Sequence, residues 1–223
     1  MSHPSLIKLA RGVCLVSAAV LSGCAPTWQH VQKQETFKGP SRAYLAQIPE
    51  GWKRAPTDSD VLLITRDGLF LQQIAITRRP LEMAFAGRTV TPTTPTQDLA
   101  LWQYQLMRDE EPELARTDSD ELKGVLGLFP VGQAKPLAGT TERVAIRPFQ
   151  VDGVPAFRMD TRSQNGWGLT YRSQAVGFVH QGDFWLVRYL APELHYAGRD
   201  QATFEAFLTA LKLKEKCRLF CSD

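Results

Sequence analysis

The chain holds four histidines and four cysteines, the residue types that most often do chemistry near neutral pH. His30, His180 and His195 are far apart in sequence, and none stands in H-E-x-x-H spacing, so a zincin site is excluded. There is no G-x-S-x-G nucleophile elbow and no Gly-rich phosphate loop. Gly166-Trp167-Gly168 places glycines before an expected strand, the reverse of a dinucleotide-binding turn. His180 and His195 fall in turn and loop sequence, where solvation is the expected role. The acidic runs Asp58–Asp60 and Asp118–Glu121 lack the EF-hand pattern and read as turn or cap residues. Glu142, Asp160 and Asp183 are an acid–base set only in the sense that any chain with 23 acids offers one. No catalytic residue, metal site or cofactor is therefore expected.

Two further groups bear on binding. Arg78 and Arg79 end one expected strand, and Arg143, Arg147, Arg158, Arg162 and Arg172 lie on others. A shared basic face would suit a phosphate, a lipid headgroup or an acidic glycan. The preferred reading is a solvated face paired with Asp160 and Glu142. Among the tryptophans, Trp102 and Trp185 fit core positions. Trp52 and Trp167 lie near turns, where exposed rings would offer apolar surface to a partner.

The cysteines sort by position. Cys217 and Cys221 sit in the terminal KEKCRLFCSD. In an oxidising compartment the expected role is a disulfide, closing a loop of about five residues for roughly 2 kcal/mol in the chain-entropy account. Free thiols are the alternative; a redox pair is disfavoured because the spacing is not C-x-x-C, and two thiols alone are a poor zinc site. Lys8 and Arg11 precede an apolar run from Gly12 to Gly23, too short for the roughly 20 residues of a stable span. A basic start, a short apolar core and small residues describe a signal peptide. Leu21-Ser22-Gly23-Cys24 resembles the lipobox of bacterial lipoproteins. That resemblance implies cleavage before Cys24, attachment of a diacylglyceryl group (palmitate-type chains) to its thiol and acylation of its new amine. Two or more chains hold a protein on a membrane where one does so only marginally. Ala25, not Asp, follows the cysteine, which by the same resemblance implies an outer-membrane lipoprotein facing the periplasm. Trp28, four residues on, suits the bilayer interface.

Loss of residues 1–23 would remove two of the 26 basic residues and leave the charge close to balanced. That excludes the electrostatic footprint of a nucleic-acid binder. Four segments are expected: signal 1–23, tether 24–40, one domain 41–214 and a tail 215–223.

The elements that position these residues follow from periodicity and turn chemistry. Tyr44–Trp52 reads as a strand stopped at Pro49. Val61–Arg79 reads as a hairpin turning at Asp67-Gly68, with Phe70, Ile74 and Ile76 on one face. Thr94, Pro95 and Gln97 predict a helix start, and Leu99, Trp102 and Leu106 its buried stripe. A second hairpin turns at Asp152-Gly153. There Phe157, Met159 and Thr161 alternate with Arg158, Asp160 and Arg162, so one face is expected to meet water. Pro148 marks an edge or a bulge. A third hairpin turns near Gln181-Gly182, and its last arm, apolar on both sides, is expected at the sheet centre. A final helix is expected with Asp200 as cap and Phe204, Phe207, Leu208 and Leu211 as stripe. Lys212, Lys214 and Lys216 would suit its C-terminal dipole.

Runs of adjacent strands imply an α+β fold, a mainly antiparallel sheet of hairpins covered by two main helices in an α/β/α sandwich. The phrases IPEGW, VDGVPAFRM, YLAP and FEAFLTALKL, in that order, resemble the PsbP/DcrB-like fold. The resemblance covers about residues 41–214; CRLFC and VTPTTPT depart from it, and no site residue carries over. It implies a non-catalytic binding or assembly module of the bacterial envelope, with an envelope protein as partner. A carrier or sensor of a small amphipathic ligand is the alternative, and a hydrolase with an unrecognised site the third reading.

Overall fold

The computed structural model describes residues 28–56, 62–68, 71–85, 87–108, 140–164, 168–196 and 198–214. Their elements run β1 (Gln29–His30), β2 (Glu35–Lys38), β3 (Tyr44–Ile48), β4 (Lys53–Arg54), β5 (Leu62–Thr65), β6 (Gln73–Pro80), α1 (Leu81–Ala84) and α2 (96–108). Then follow β7 (Thr140–Val151), β8 (Val154–Gln164), β9 (Thr170–His180), β10 (Asp183–Pro192), α3 (Glu193–Tyr196), α4 (Arg199–Ala210) and β11 (Lys212–Leu213).

Strands β7 to β10 form a meander, and its β7–β8 and β9–β10 turns carry residues that accept a left-handed backbone. Asp152 and Gly153 both have positive φ, as do Gln181 and Gly182, the pattern of primed hairpin turns. The large sheet has eight strands in the order β1-β4-β5-β6-β10-β9-β8-β7, and β11-β3-β2 form a small second sheet. All pairings are antiparallel. The fold is α+β.

Strand β10 lies between β6 and β9 and is buried on both sides, as its sequence requires. Trp185, Val187 and Tyr189 enter a core with Ile74, Ile76, Val176 and Phe178, closed by Phe204, Phe207, Leu208 and Leu211 from the α4 region and by Tyr44, Ala46 and Ile48 of β3. Phe184 and Leu186 enter a second core with Phe157, Met159 and Ala175, closed by Leu81, Ala84 and Phe85 at α1 and by Leu99 and Ala100 of α2. Helices thus cover both faces. Val90, from the VTPTTPT segment, is buried in that second core. Pro148 does lie on an edge strand, β7, whose register with β8 shifts between Arg143 and Ala145.

Several expectations change. Residues 29–38, expected within the tether, carry β1 and β2, which pair with β4 and β3. Thr94 is not the cap of α2. Its hydroxyl accepts from Thr91 N–H at 2.9 Å, and the first helical bond runs from Leu99 N–H to Pro95 O. Gly198 occupies the N-cap of α4, and the buried Asp200 stands in its first turn. Instead of capping, its carboxylate takes the Arg66 guanidinium, tying the β5–β6 turn to the helix. Helix α4 stops at Ala210 because the chain extends at Leu211, and Lys212 and Leu213 pair with β3. Lys212 therefore lies beyond the helix, its ammonium paired with Asp152 at 2.9 Å, and Lys216 lies outside the described residues. Among the described residues, no helix is long and apolar enough to cross a membrane.

Candidate functional site

The face of β8 expected to meet water does so at Arg162 but is covered at Arg158. Arg158 is 9% exposed. A buried guanidinium demands partners, and α4 supplies one. Arg158 Nη1 donates to Glu205 at 3.0 Å, and Nη2 donates to Glu205 and to Gln174 on β9. The guanidinium also lies 5.4 Å from the centre of the Phe149 ring. Gln174 in turn donates to Asp160 at 2.8 Å, and Asp160 accepts from Arg147 at 2.8 Å. The network crosses β7, β8, β9 and α4.

A second pairing lies at the other end of these strands. Glu193, the first residue of α3, accepts from Arg162 at 2.9 Å and from Arg172 at 3.1 Å. The Arg162 hydrogen bond holds the Glu193 carboxyl below its ordinary range; desolvation opposes it, and the Arg172 hydrogen bond and the two arginine charges add to the lowering. Glu142 stands opposite Arg162 across the β7–β8 pair. Between the two pairings is a half-open cleft of about 130 Å³. Arg147, Asp160, Arg172, Gln174, Tyr196 and Gln201 line it, with Val144 at the bulge. Burial, and then the nearby Asp160 charge, pushes the Tyr196 phenol up to about 12. It therefore stays a neutral hydroxyl throughout the physiological range.

Of the five strand arginines, four share this face and Arg143 does not. Arg143 sits over the Tyr104 ring of α2 on the opposite face, 5.7 Å from its centre. Of the expected pairing with Asp160 and Glu142, the Asp160 part is observed, through Arg147, while Glu142 is placed opposite Arg162 by strand register only. The other carboxylates come from Glu193 and Glu205. Sequence periodicity could not find those two, because both come from helices distant in the chain. Arg78 pairs with Asp183 at 3.5 Å, and Arg79 donates to Gln103 of α2 at 2.6 Å. A second, wider groove, about 580 Å³, lies between α2 and the start of β7 and is lined by Tyr104, Gln105, Arg108, Thr141, Glu142 and Arg143 with Leu101.

The histidines stand apart from both clefts. The His180 ring meets the Lys214 carbonyl at 3.2 Å, and His195 is exposed on α3. His30 is exposed on β1. Trp52 is not a surface ring: it is 2% exposed, in the first core. Trp185 is buried in the first core and Trp102 packs against the second. Cys24, Cys217, Cys221, Trp167, Asp58–Asp60, Phe70 and Asp118–Glu121 lie outside the described residues.

No protein-family model matches the chain, and no curated protein matches it. Solved structures do. The solution structure of the cyanobacterial PsbP protein CyanoP from Synechocystis sp. PCC 6803 is similar over 87% of this chain and 99% of its own, with TM-score 0.51 and 11% identity. A crystal structure from Bacteroides thetaiotaomicron matches 82% of this chain with TM-score 0.46 and 9% identity; the chain spans half of that protein's length. LpqN of Mycobacterium tuberculosis, described as involved in cell envelope biogenesis, covers 87% of this chain and 88% of its own at TM-score 0.33 and 10% identity. The likeness to CyanoP supports the PsbP-like fold expected from the sequence.

Proposed function

We propose that this protein is a lipid-anchored envelope lipoprotein, held at the outer membrane and facing the periplasm, that acts as a non-catalytic binding or assembly module. The observation that carries the reading is positional. Cys24, in its Leu21-Ser22-Gly23-Cys24 setting, lies four residues before Trp28, where the described fold begins. An acyl group at that thiol would tie a folded domain directly to a bilayer. The PsbP-like fold agrees with a module that works through its surface. The arginine–carboxylate cleft is the polar feature such a surface would present. At about 130 Å³ it is below the roughly 300–1,000 Å³ of sites for drug-sized ligands. At this cleft the size favours contact with a partner; the wider groove beside α2, about 580 Å³, is where the carrier reading would have to be tested.

Cross-linking in intact envelopes, with capture through a C-terminal tag, tests the module. One stoichiometric protein partner, lost in Cys24→Ala, is the expected result. The same envelopes yielding no partner above background would overturn the assembly reading.

A further inference from the structure

The edge of the large sheet where the chain enters the fold is not a free end. Val31 is buried, its N–H donates to Trp52 O at 2.9 Å, and its carbonyl accepts from Gly51 N–H at 2.9 Å. β1 is therefore clamped to β4, and Trp52 fixes the clamp in the core. Trp28 immediately precedes β1 and is 38% exposed. His30 faces Lys53 directly across the β1–β4 pair, and Lys33 follows in the next turn; all three are exposed. Residues 28–54 contain five lysines and arginines against two acids. One of those acids, Glu35, is 3.9 Å from Arg54.

Covalent geometry then limits where this edge can be. Trp28 is four positions after Cys24, and an extended chain covers at most about 3.6 Å per residue, so the two α-carbons are within roughly 14 Å. The polar layer on each side of a bilayer's hydrocarbon core is about 5–8 Å thick. A tryptophan at this distance from an acylated cysteine reaches that layer, where its amphipathic ring is favoured. Lysines beside it meet lipid phosphates, which attract cations within a Debye length.

We infer that the Trp28, His30, Lys33 and Lys53 edge is a membrane-docking surface, seated on the phosphate headgroups of the leaflet that takes the Cys24 acyl chains. The inference rests on the lipid anchor proposed above. The domain then lies against the bilayer in a fixed orientation, with the β1–β4 edge inward, and does not swing on a tether.

The test uses the full lipidated chain in vesicles of phosphatidylglycerol and phosphatidylethanolamine, with Cys24→Ala in solution as reference. Flotation reports the anchor; lysine acylation by a water-soluble reagent, read by mass spectrometry, reports the surface. Lys214 serves as internal control, because its N–H bonds Ala43 O at the other end of β3. Lys33 and Lys53 are expected to react about threefold or more slowly in vesicles, with Lys214 unchanged. Brominated acyl chains are expected to quench a part of the emission that Trp28→Phe removes. The Lys33→Glu/Lys53→Glu variant, altered only at exposed positions, should still float but lose the Trp28 quench. Flotation with equal rates at all three lysines overturns the docking and leaves the anchor standing. Protection in native envelopes but not in pure lipid also overturns it, in favour of a protein partner. No flotation overturns the anchor and the docking together.

Discussion

Helix α4 covers two regions of one sheet face, and they are built differently. Over β6 and β10 it buries Phe204 against Tyr189, ring centres 5.5 Å apart, beside Ile74 and Val187. Over β8 and β9 it meets Arg158, Gln174 and, through them, Asp160. The aromatic half is held by area removed from water. The charged half is held by partner geometry, since a buried charge is tolerated only when its hydrogen bonds are made. The first half is filled, and beside the second lies a cleft. Packing fixes the helix, and the charged half leaves polar groups facing solvent.

The largest expected effect lies in the aromatic half. Phe204→Ala should cost about 3–5 kcal/mol, seen as a fall of roughly 10 °C in melting temperature for a domain of this size. A loss below about 1 kcal/mol would mean α4 is not held by that contact.

The charged half should respond to which partner is lost. Glu205→Ala removes the carboxylate partner of the buried Arg158 guanidinium; because Glu205 is itself 43% exposed, water partly replaces it and the loss should be about 1–2 kcal/mol. The double variant Arg158→Met/Glu205→Gln removes the buried charge itself and should recover most of that loss in denaturant titrations. Equal destabilisation by both would show that shape, not charge, matters there.

Arg147 tests the same half at its rim. Its side chain is 56% exposed, so Arg147→Ala should change stability by less than about 1 kcal/mol. The contrast with Glu205→Ala separates an exposed guanidinium from a buried one.

The smallest effect is electrostatic and pH-dependent. The Glu193 carboxyl is held below its ordinary value, first by the Arg162 hydrogen bond. A depressed carboxyl stabilises the fold fully above its unfolded pKa, and that contribution is lost as pH falls through the lower folded value. The denaturant midpoint of the wild type should therefore fall in acid more than that of Glu193→Gln, with the difference confined to the acidic side of the ordinary glutamate range. Parallel curves would remove Glu193 from the account.

The same contrast explains what was legible in the sequence. The meander could be read because Asp152-Gly153 and Gln181-Gly182 declare their turns locally, and β10 because both of its faces are apolar. Pro148 announced an edge strand by chemistry, having no N–H to give. The aromatic half followed from the Phe204, Phe207, Leu208 stripe. The charged half did not. Arg158 alternates with apolar residues and so looks solvent-facing, and only the placement of α4 reveals Glu205 above it. Glu193 escaped notice because α3 is a single turn with no periodic stripe. Trp52 misled because it sits beside a turn, yet its ring is buried in the first core and its carbonyl accepts from Val31 N–H. β1 and β2 were missed because their short polar sequences carry no alternation and gain their pairing from β4 and β3.

The most direct test of the central claim is the mass of the mature N-terminus, taken from protein isolated from its own envelope. The account predicts a chain beginning at Cys24 and carrying a diacylglyceryl group on the thiol with a further acyl group on the amine. A chain that begins elsewhere, or a Cys24 that bears no lipid, would contradict it.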